Sequence, residues 1–233
     1  MNREAVKYIQ KLIDQGEHSQ LDFKFEISSA RKIAITLVAF ANTNGGRLLI
    51  GVKDNGRISG IKSDEEYYMI ESAANIFCKP VIKFESQNWS VEGKTVLEIY
   101  IPPAENKPHF AKDENDRWMA YHRVRDQNYL SNKIMLDLWK YEKHDSGTLI
   151  TFTRNEDLLL NYLKLNQNVS LSKIMRDTGF RRNKLTDLLV KLIAFDVVKM
   201  KFHERDKSAW RLKLVSSETL IRENRLISLQ TRD

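Results

Sequence analysis

Three of the four residues from Arg181 to Lys184 are basic, and the fourth is Asn183. Lys199, Lys201, Arg205 and Lys207 follow within one short stretch. Guanidinium and ammonium groups suit phosphate oxygens, and Arg, Lys and Asn also suit base edges. The placement of charge is as telling as its size. The 233-residue chain has a net charge of +7; residues 146–233 hold 17 Lys+Arg against 10 Asp+Glu, and residues 1–145 hold 21 of each. The whole excess therefore lies in the last third. Such a surplus suits an anionic partner such as nucleic acid. From charge alone, a solvated and soluble surface explains it equally well.

Other chemistries find less support. His18, His109, His122, His144 and His203 show no metal-ligand spacing and read as surface or structural groups. Cys78 is the single cysteine, which excludes an internal disulfide and a cysteine-based zinc site. It is expected as a packed thiol on an apolar helix face. Gly51, Gly56 and Gly60 are not followed by the Gly-Lys-Ser/Thr of a phosphate loop, and no Gly-x-Ser-x-Gly elbow is present. No apolar run approaches the roughly 18 residues of a membrane span. The N-terminus lacks the apolar region of a secretory signal. A cytoplasmic protein without a membrane partner is expected.

Elements must hold these groups. In residues 1–145, Val6, Ile9, Leu12 and Ile13 recur at helical spacing, which predicts a helix over 3–15 closed by Gly16. Residues 21–25 alternate as a half-buried strand. Ser28 or Ser29 can cap a helix whose apolar face is Ile33, Leu37 and Phe40. That helix stops at Asn42-Thr43-Asn44-Gly45-Gly46, a turn-forming run. A buried strand over 47–52 follows, and Asn55-Gly56 marks a tight turn with Asp54 at its tip. A helix over 64–77, strands over 81–88 and 95–101, a short strand at 108–110, an alternating stretch over 117–125 and a closing helix over 132–143 complete a mixed α+β domain.

The order and wording of these pieces resemble the Schlafen-type AlbA-2 domain, often described as nucleic-acid-binding. The resemblance spans residues 15–130. It rests on Leu21-Asp22-Phe23-Lys24, Ala39-Phe40-Ala41-Asn42-Thr43-Asn44-Gly45-Gly46, Ile50-Gly51-Val52-Lys53-Asp54-Asn55-Gly56, Gly60, Lys107-Pro108-His109 and Tyr121-His122-Arg123-Val124. It implies a mixed sheet flanked by helices, with Arg47, Arg123 and Arg125 among the nucleic-acid contacts. Family members usually show Arg-Val-Gly where this chain has Arg123-Val124-Arg125. The glycines of the Asn-Thr-Asn-Gly-Gly turn read as architectural.

Vertebrate Schlafen nucleases, which this domain resembles, cleave RNA with a metal held by acidic residues. The matching places hold Glu17, Asp22 and Asp54, with Lys24 two residues along the strand from Asp22 and on its face. The resemblance implies Mg²⁺ or Mn²⁺ on these carboxylates, where the ion activates water or stabilises a leaving oxygen. The residues themselves leave another reading open. Asp22 is one methylene shorter than the Glu of the family. Glu17 suits a helix end, and Asp54 suits a turn.

Residues 148–215 form a second pattern. Thr153 and Glu156 make a capping box before a helix over 156–165. Ser170 caps a short helix that Thr178-Gly179 ends, and a third helix runs over 182–195 with Leu185, Leu188, Leu189 and Leu192 facing in. Alternation over 197–203 and 209–215 gives a hairpin. This order resembles the winged helix-turn-helix of bacterial transcription regulators. The resemblance makes Arg181, Arg182, Asn183, Lys184 and Thr186 the exposed start of a recognition helix in the major groove. Lys199, Lys201, Arg205 and Lys207 would then lie on the wing. Winged helices also serve as protein-interaction modules. Residues 145–147 read as a linker, and 216–233 as a tail that helically packs, pairs with a second copy or frays.

The chain is therefore expected to be α+β, with an AlbA-2-like domain over 1–145 and a winged helix over 148–215. The expected function is nucleic-acid binding, DNA ahead of RNA, as a transcriptional regulator. The alternatives are a divalent-metal endoribonuclease and a ligand- or protein-binding module.

Overall fold

The computed structural model describes residues 3–144, 153–202 and 210–215. The expected linker at 145–147, the tail at 216–233, and Arg205 and Lys207 lie outside the described residues. The chain divides into two units, Met1–Ser131 and Asn132–Asp233.

In the first unit, α1 (Arg3–Ile13) leads to β1 (Leu21–Lys24), α2 (Ala30–Ala41), β2 (Gly46–Ile50) and α3 (Glu65–Ile76). Next come β3 (Cys78–Lys79), β4 (Glu85–Val91), β5 (Lys94–Ile101), β6 (Phe110–Lys112), β7 (Trp118–Met119), β8 (Tyr121–Val124) and β9 (Gln127–Leu130). The main sheet has the order β1-β2-β5-β4. β1 runs parallel to β2, and the other neighbours are antiparallel. β3-β6-β7 and β8-β9 form smaller sheets.

Strand alternation splits the core between the sheet's two faces. Leu48 and Ile50 of β2, with Leu97, Ile99 and Ile101 of β5, pack against Ile33, Leu37 and Phe40 of α2. Leu49, Val96, Leu21 and Phe23 pack on the other face, against Ile9 of α1. Asp22 and Lys24 therefore face the α2 side, and Glu98 faces the α1 side. Ser29 caps α2, accepting from the Lys32 backbone N–H.

Several boundaries differ from the sequence reading. The alternating stretch over 117–125 is broken into β7 and β8, and β8 turns back into β9, which local pattern did not announce. Cys78 sits in β3 rather than on the helix; it is buried, and its Sγ lies 3.8 Å from the Ala34 carbonyl oxygen. The helix expected to close the first domain, α4 (Lys133–His144), belongs to the second unit. Ile134 is the reason: it joins the second unit's core.

That unit continues with α5 (Arg154–Leu165), α6 (Leu171–Thr178), α7 (Arg182–Ala194), β10 (Val198–Phe202) and β11 (Trp210–Leu214). Leu159, Leu163, Ile174, Leu185, Leu189, Val198 and Leu212 form its core. The capping box forms between Thr153 and Glu156, and Ser170 caps α6. Gly179 ends α6 at φ 73°, a left-handed conformation that suits glycine. β10 and β11 pair antiparallel, and Val169 adds a bridge to Leu212.

Candidate nucleic-acid interface

The residues of the first unit singled out by sequence have mostly internal partners. Asp22 is buried between two cations. Its Oδ1 lies 2.9 Å from Arg123 Nη2 and its Oδ2 lies 2.7 Å from Lys24 Nζ. Lys24 thus takes the expected position on Asp22's face. Glu17 is half-buried, and its Oε1 accepts from the Phe23 backbone N–H at 2.8 Å. Burial raises its carboxyl above the usual range, the Phe23 N–H opposes this, and the adjacent Asp22 adds to the rise. Glu17 and Asp22 are therefore brought together.

Asp54 is exposed in the loop after β2 and lines an open cleft with Gln10, Asp14, Gly16 and Arg57. Among the described residues, no group of three His, Cys, Asp or Glu side chains could hold a metal ion. Both Asp22 oxygens face protein cations, where a metal would have to stand. The three carboxylates, so placed, do not fit a Mg²⁺ or Mn²⁺ centre.

Two arginines expected among the nucleic-acid contacts have partners within the first unit. Arg123 is buried. Besides Asp22, it donates to His18 O at 3.2 Å and to Asn128 Oδ1 at 3.0 Å, and it lies over the Phe40 ring. Its partners come from β1, α2 and β9, so no local pattern could have revealed its burial. Arg47 donates from Nε to Glu98 Oε1 at 2.8 Å and lies over Tyr100. Tyr8 and Trp89 donate to the same carboxylate. Arg125 is exposed at the β8–β9 turn with φ 56°. A left-handed turn residue explains why a glycine is usual at this place in the family.

The Asn-Thr-Asn-Gly-Gly run is structural at almost every residue. Asn42 is buried; its Nδ2 donates to His109 O and Tyr121 O, and its Oδ1 accepts from the His109 N–H at 2.7 Å. Thr43 Oγ1 donates to Ala39 O and accepts from the Arg123 N–H. Lys107 Nζ donates to Thr43 O. A Cβ on Gly45 would stand 2.6 Å from Ile101 O, and one on Gly46 would stand 2.3 Å from the Phe40 ring.

The second unit presents several cations outward. Arg181, Arg182, Asn183 and Lys184 are all exposed at the start of α7. Thr186, expected beside them, is buried instead, because it lies on the helix face that carries Leu185 and Leu189. On the hairpin, Val198, Leu212 and Leu214 contribute to the core side. The opposite face pairs Lys199 with Lys213 and Lys201 with Arg211. Arg211 and Lys213 stand outside the contacts expected from sequence, because the apolar residues of that strand are its stronger signal. Simple alternation, with Trp210, Leu212 and Leu214 inward, nevertheless puts both outward.

Residues 17–132 match the family model of the Schlafen, AlbA_2 domain. The chain thus carries a Schlafen/AlbA_2 domain over those residues. Two solved structures are similar. One is the DIP2311 protein from Corynebacterium diphtheriae, 21% identical with a TM-score of 0.42, covering 70% of this chain and 34% of that one. The other is the N-terminal domain of a RecG-related protein from Nitrosomonas europaea, 21% identical with a TM-score of 0.40, covering 64% of this chain and 95% of that one. This chain thus spans about a third of the DIP2311 chain. No curated protein matches it. Among the described residues, no helix is long and apolar enough to cross a membrane.

Proposed function

We propose that this is a nucleic-acid-binding protein and, more narrowly, a DNA-binding transcriptional regulator whose second unit is a winged helix-turn-helix. In this reading α6 and α7 are the helix pair, Gly179 lies in their turn, and β10–β11 is the wing. One observation carries the reading. The start of α7 exposes Arg181, Arg182 and Lys184, and the outward hairpin face sets Lys199 opposite Lys213 and Lys201 opposite Arg211. Like charges directly opposite on a hairpin destabilise it. A phosphate backbone removes that cost and gains affinity through counterion release. The start of a helix is also the part that reads base edges in the major groove. Duplex RNA, with its deep and narrow major groove, admits such a helix poorly.

The test is a salt titration of duplex DNA binding. Arg182→Ala with Lys184→Ala should weaken binding and lower the slope of log K against log salt by about 2, roughly one per lost phosphate contact. Unchanged affinity and slope would overturn the assignment of α7.

The endoribonuclease reading keeps one specific observation, the adjacency of Glu17 and Asp22. It requires Asp22 to exchange Arg123 and Lys24 for a metal, and Asp54 to join it. Mn²⁺-dependent cleavage of structured RNA, abolished by Asp54→Ala, would establish it.

A further inference from the structure

The second unit contains a cleft that duplex contact alone does not explain. Its volume is about 470 Å³. Lys133 of α4, Ser172 of α6, Arg182 of α7, and Met200, Trp210 and Arg211 of the hairpin line it. Among the described residues, three cations line this cleft and no carboxylate does. Lys133 is paired with Asp137. Among the described residues, the ion pairs of α5, α6 and α7 involve Lys173, Arg176 and Lys191, and neither Arg182 nor Arg211. Arg211 Nη1 lies 3.5 Å from the Trp210 carbonyl oxygen. Two arginines held at one concavity focus positive potential into it. Met200 and Trp210 are half-buried beside them. An apolar wall with a few convergent polar groups, at this size, is how small-molecule sites are built.

We propose that this cleft binds a small organic anion, a single phosphate head on an apolar ring. Arg182 and Arg211 take the head by charge-assisted hydrogen bonds, and the ring lies along Met200 and Trp210. The anion site stands on the cleft alone. A consequence rests on the DNA reading: Arg182 belongs to both surfaces, so the bound anion competes with duplex.

Calorimetry on the full chain tests this with phenyl phosphate, inorganic phosphate and benzyl alcohol as probes. Phenyl phosphate should bind saturably at one site, inorganic phosphate about tenfold more weakly, and benzyl alcohol not at all. Arg182→Ala and Arg211→Ala should each weaken phenyl phosphate about tenfold or more, in line with the loss of a charge-assisted bond. Lys164→Ala, an exposed cation of α5 outside the cleft lining, should leave it unchanged. Absence of saturable binding overturns the proposal, and so does an equal loss in Lys164→Ala, which would mark a diffuse field. If the two arginine variants lose duplex affinity while phenyl phosphate never binds, the cleft is a notch for DNA phosphates and only this proposal falls. Phenyl phosphate binding in a protein with no duplex affinity keeps the proposal and overturns the DNA reading.

Discussion

Arg123 Nη2 lies 2.9 Å from Asp22 Oδ1, with the two side chains 1% and 6% exposed. Residues 101 positions apart thus form a buried ion pair that ties β8 to β1. Removing one partner from such a pair strands the other charge, which typically costs about 3–5 kcal/mol. Lys24 still neutralises one Asp22 oxygen, so the low end applies. Arg123→Ala should lower the stability of the first unit by about 3 kcal/mol. Urea denaturation followed by amide exchange in β1 and α2 would measure it. Duplex affinity of the folded protein should not change. A lost duplex affinity with intact stability would return Arg123 to the nucleic-acid surface.

Gly46 is a packing requirement rather than a conformational one. Its Cβ would stand 2.3 Å from two atoms of the Phe40 ring, and Phe40 is fully buried. Overpacking of this kind costs about 1–3 kcal/mol, and the immobile ring puts Gly46→Ala at the upper end. Gly93 supplies the contrast: it has φ +77°, and a Cβ added there would meet no atom within 4 Å. Gly93→Ala should cost only the left-handed strain, about 1 kcal/mol. Thermal unfolding of the two variants should rank them in that order.

These two cases show what the sequence discloses. The stop of α2 at Asn42, the β2 strand and the Thr153–Glu156 capping box are encoded within a few residues, so local reading finds them. The architectural role of the Gly45-Gly46 pair is legible for the same reason. The burial of Arg123 is not, because Asp22, Phe40 and Asn128 reach it from three distant elements. α4 misleads for a related cause: its helical pattern says that Ile134 is buried, yet not against which core. The acidic trio looks coherent along the chain because spacing carries no direction. Only the folded contact shows that Asp22 points at Arg123.

The two units should respond to acid in different windows. Burial pushes the His122 imidazole from 6.5 down to about 4. The unfolded chain therefore takes the proton first. The stabilisation is present above pH 6.5 and is lost as pH falls toward 4. For Glu156, burial alone would raise the carboxyl, but hydrogen bonds from the Thr153 side chain, Lys191 and the Thr153 N–H outweigh it and hold it at about 2. Its stabilisation is present above 4.5 and is lost as pH falls toward 2. Amide exchange across an acid titration should show the first unit weakening before the second. His122→Gln should narrow the first window without abolishing it, because burial also lowers His109, and Glu156→Gln should narrow the second, to which the Lys173-paired Asp177 also contributes.

The hairpin allows stability and binding to be separated. Lys199 and Lys213 stand directly opposite on its outward face, and like charges placed opposite each other on a hairpin repel. Lys213→Glu would turn a repulsive cross-strand pair into an attractive one, worth about 0.2–1 kcal/mol. A surface retained for solubility alone would show that gain with no loss elsewhere. A surface that meets phosphates would lose a contact and acquire a repulsion. Lys213→Glu should therefore raise the melting temperature slightly and weaken duplex binding, with a shallower salt dependence. Lys213→Ala should weaken binding less, because it removes the contact without adding the repulsion. Gain of stability with unchanged duplex affinity in both variants would place the hairpin outside the DNA interface. It would leave α7 as the surface on which the DNA reading stands.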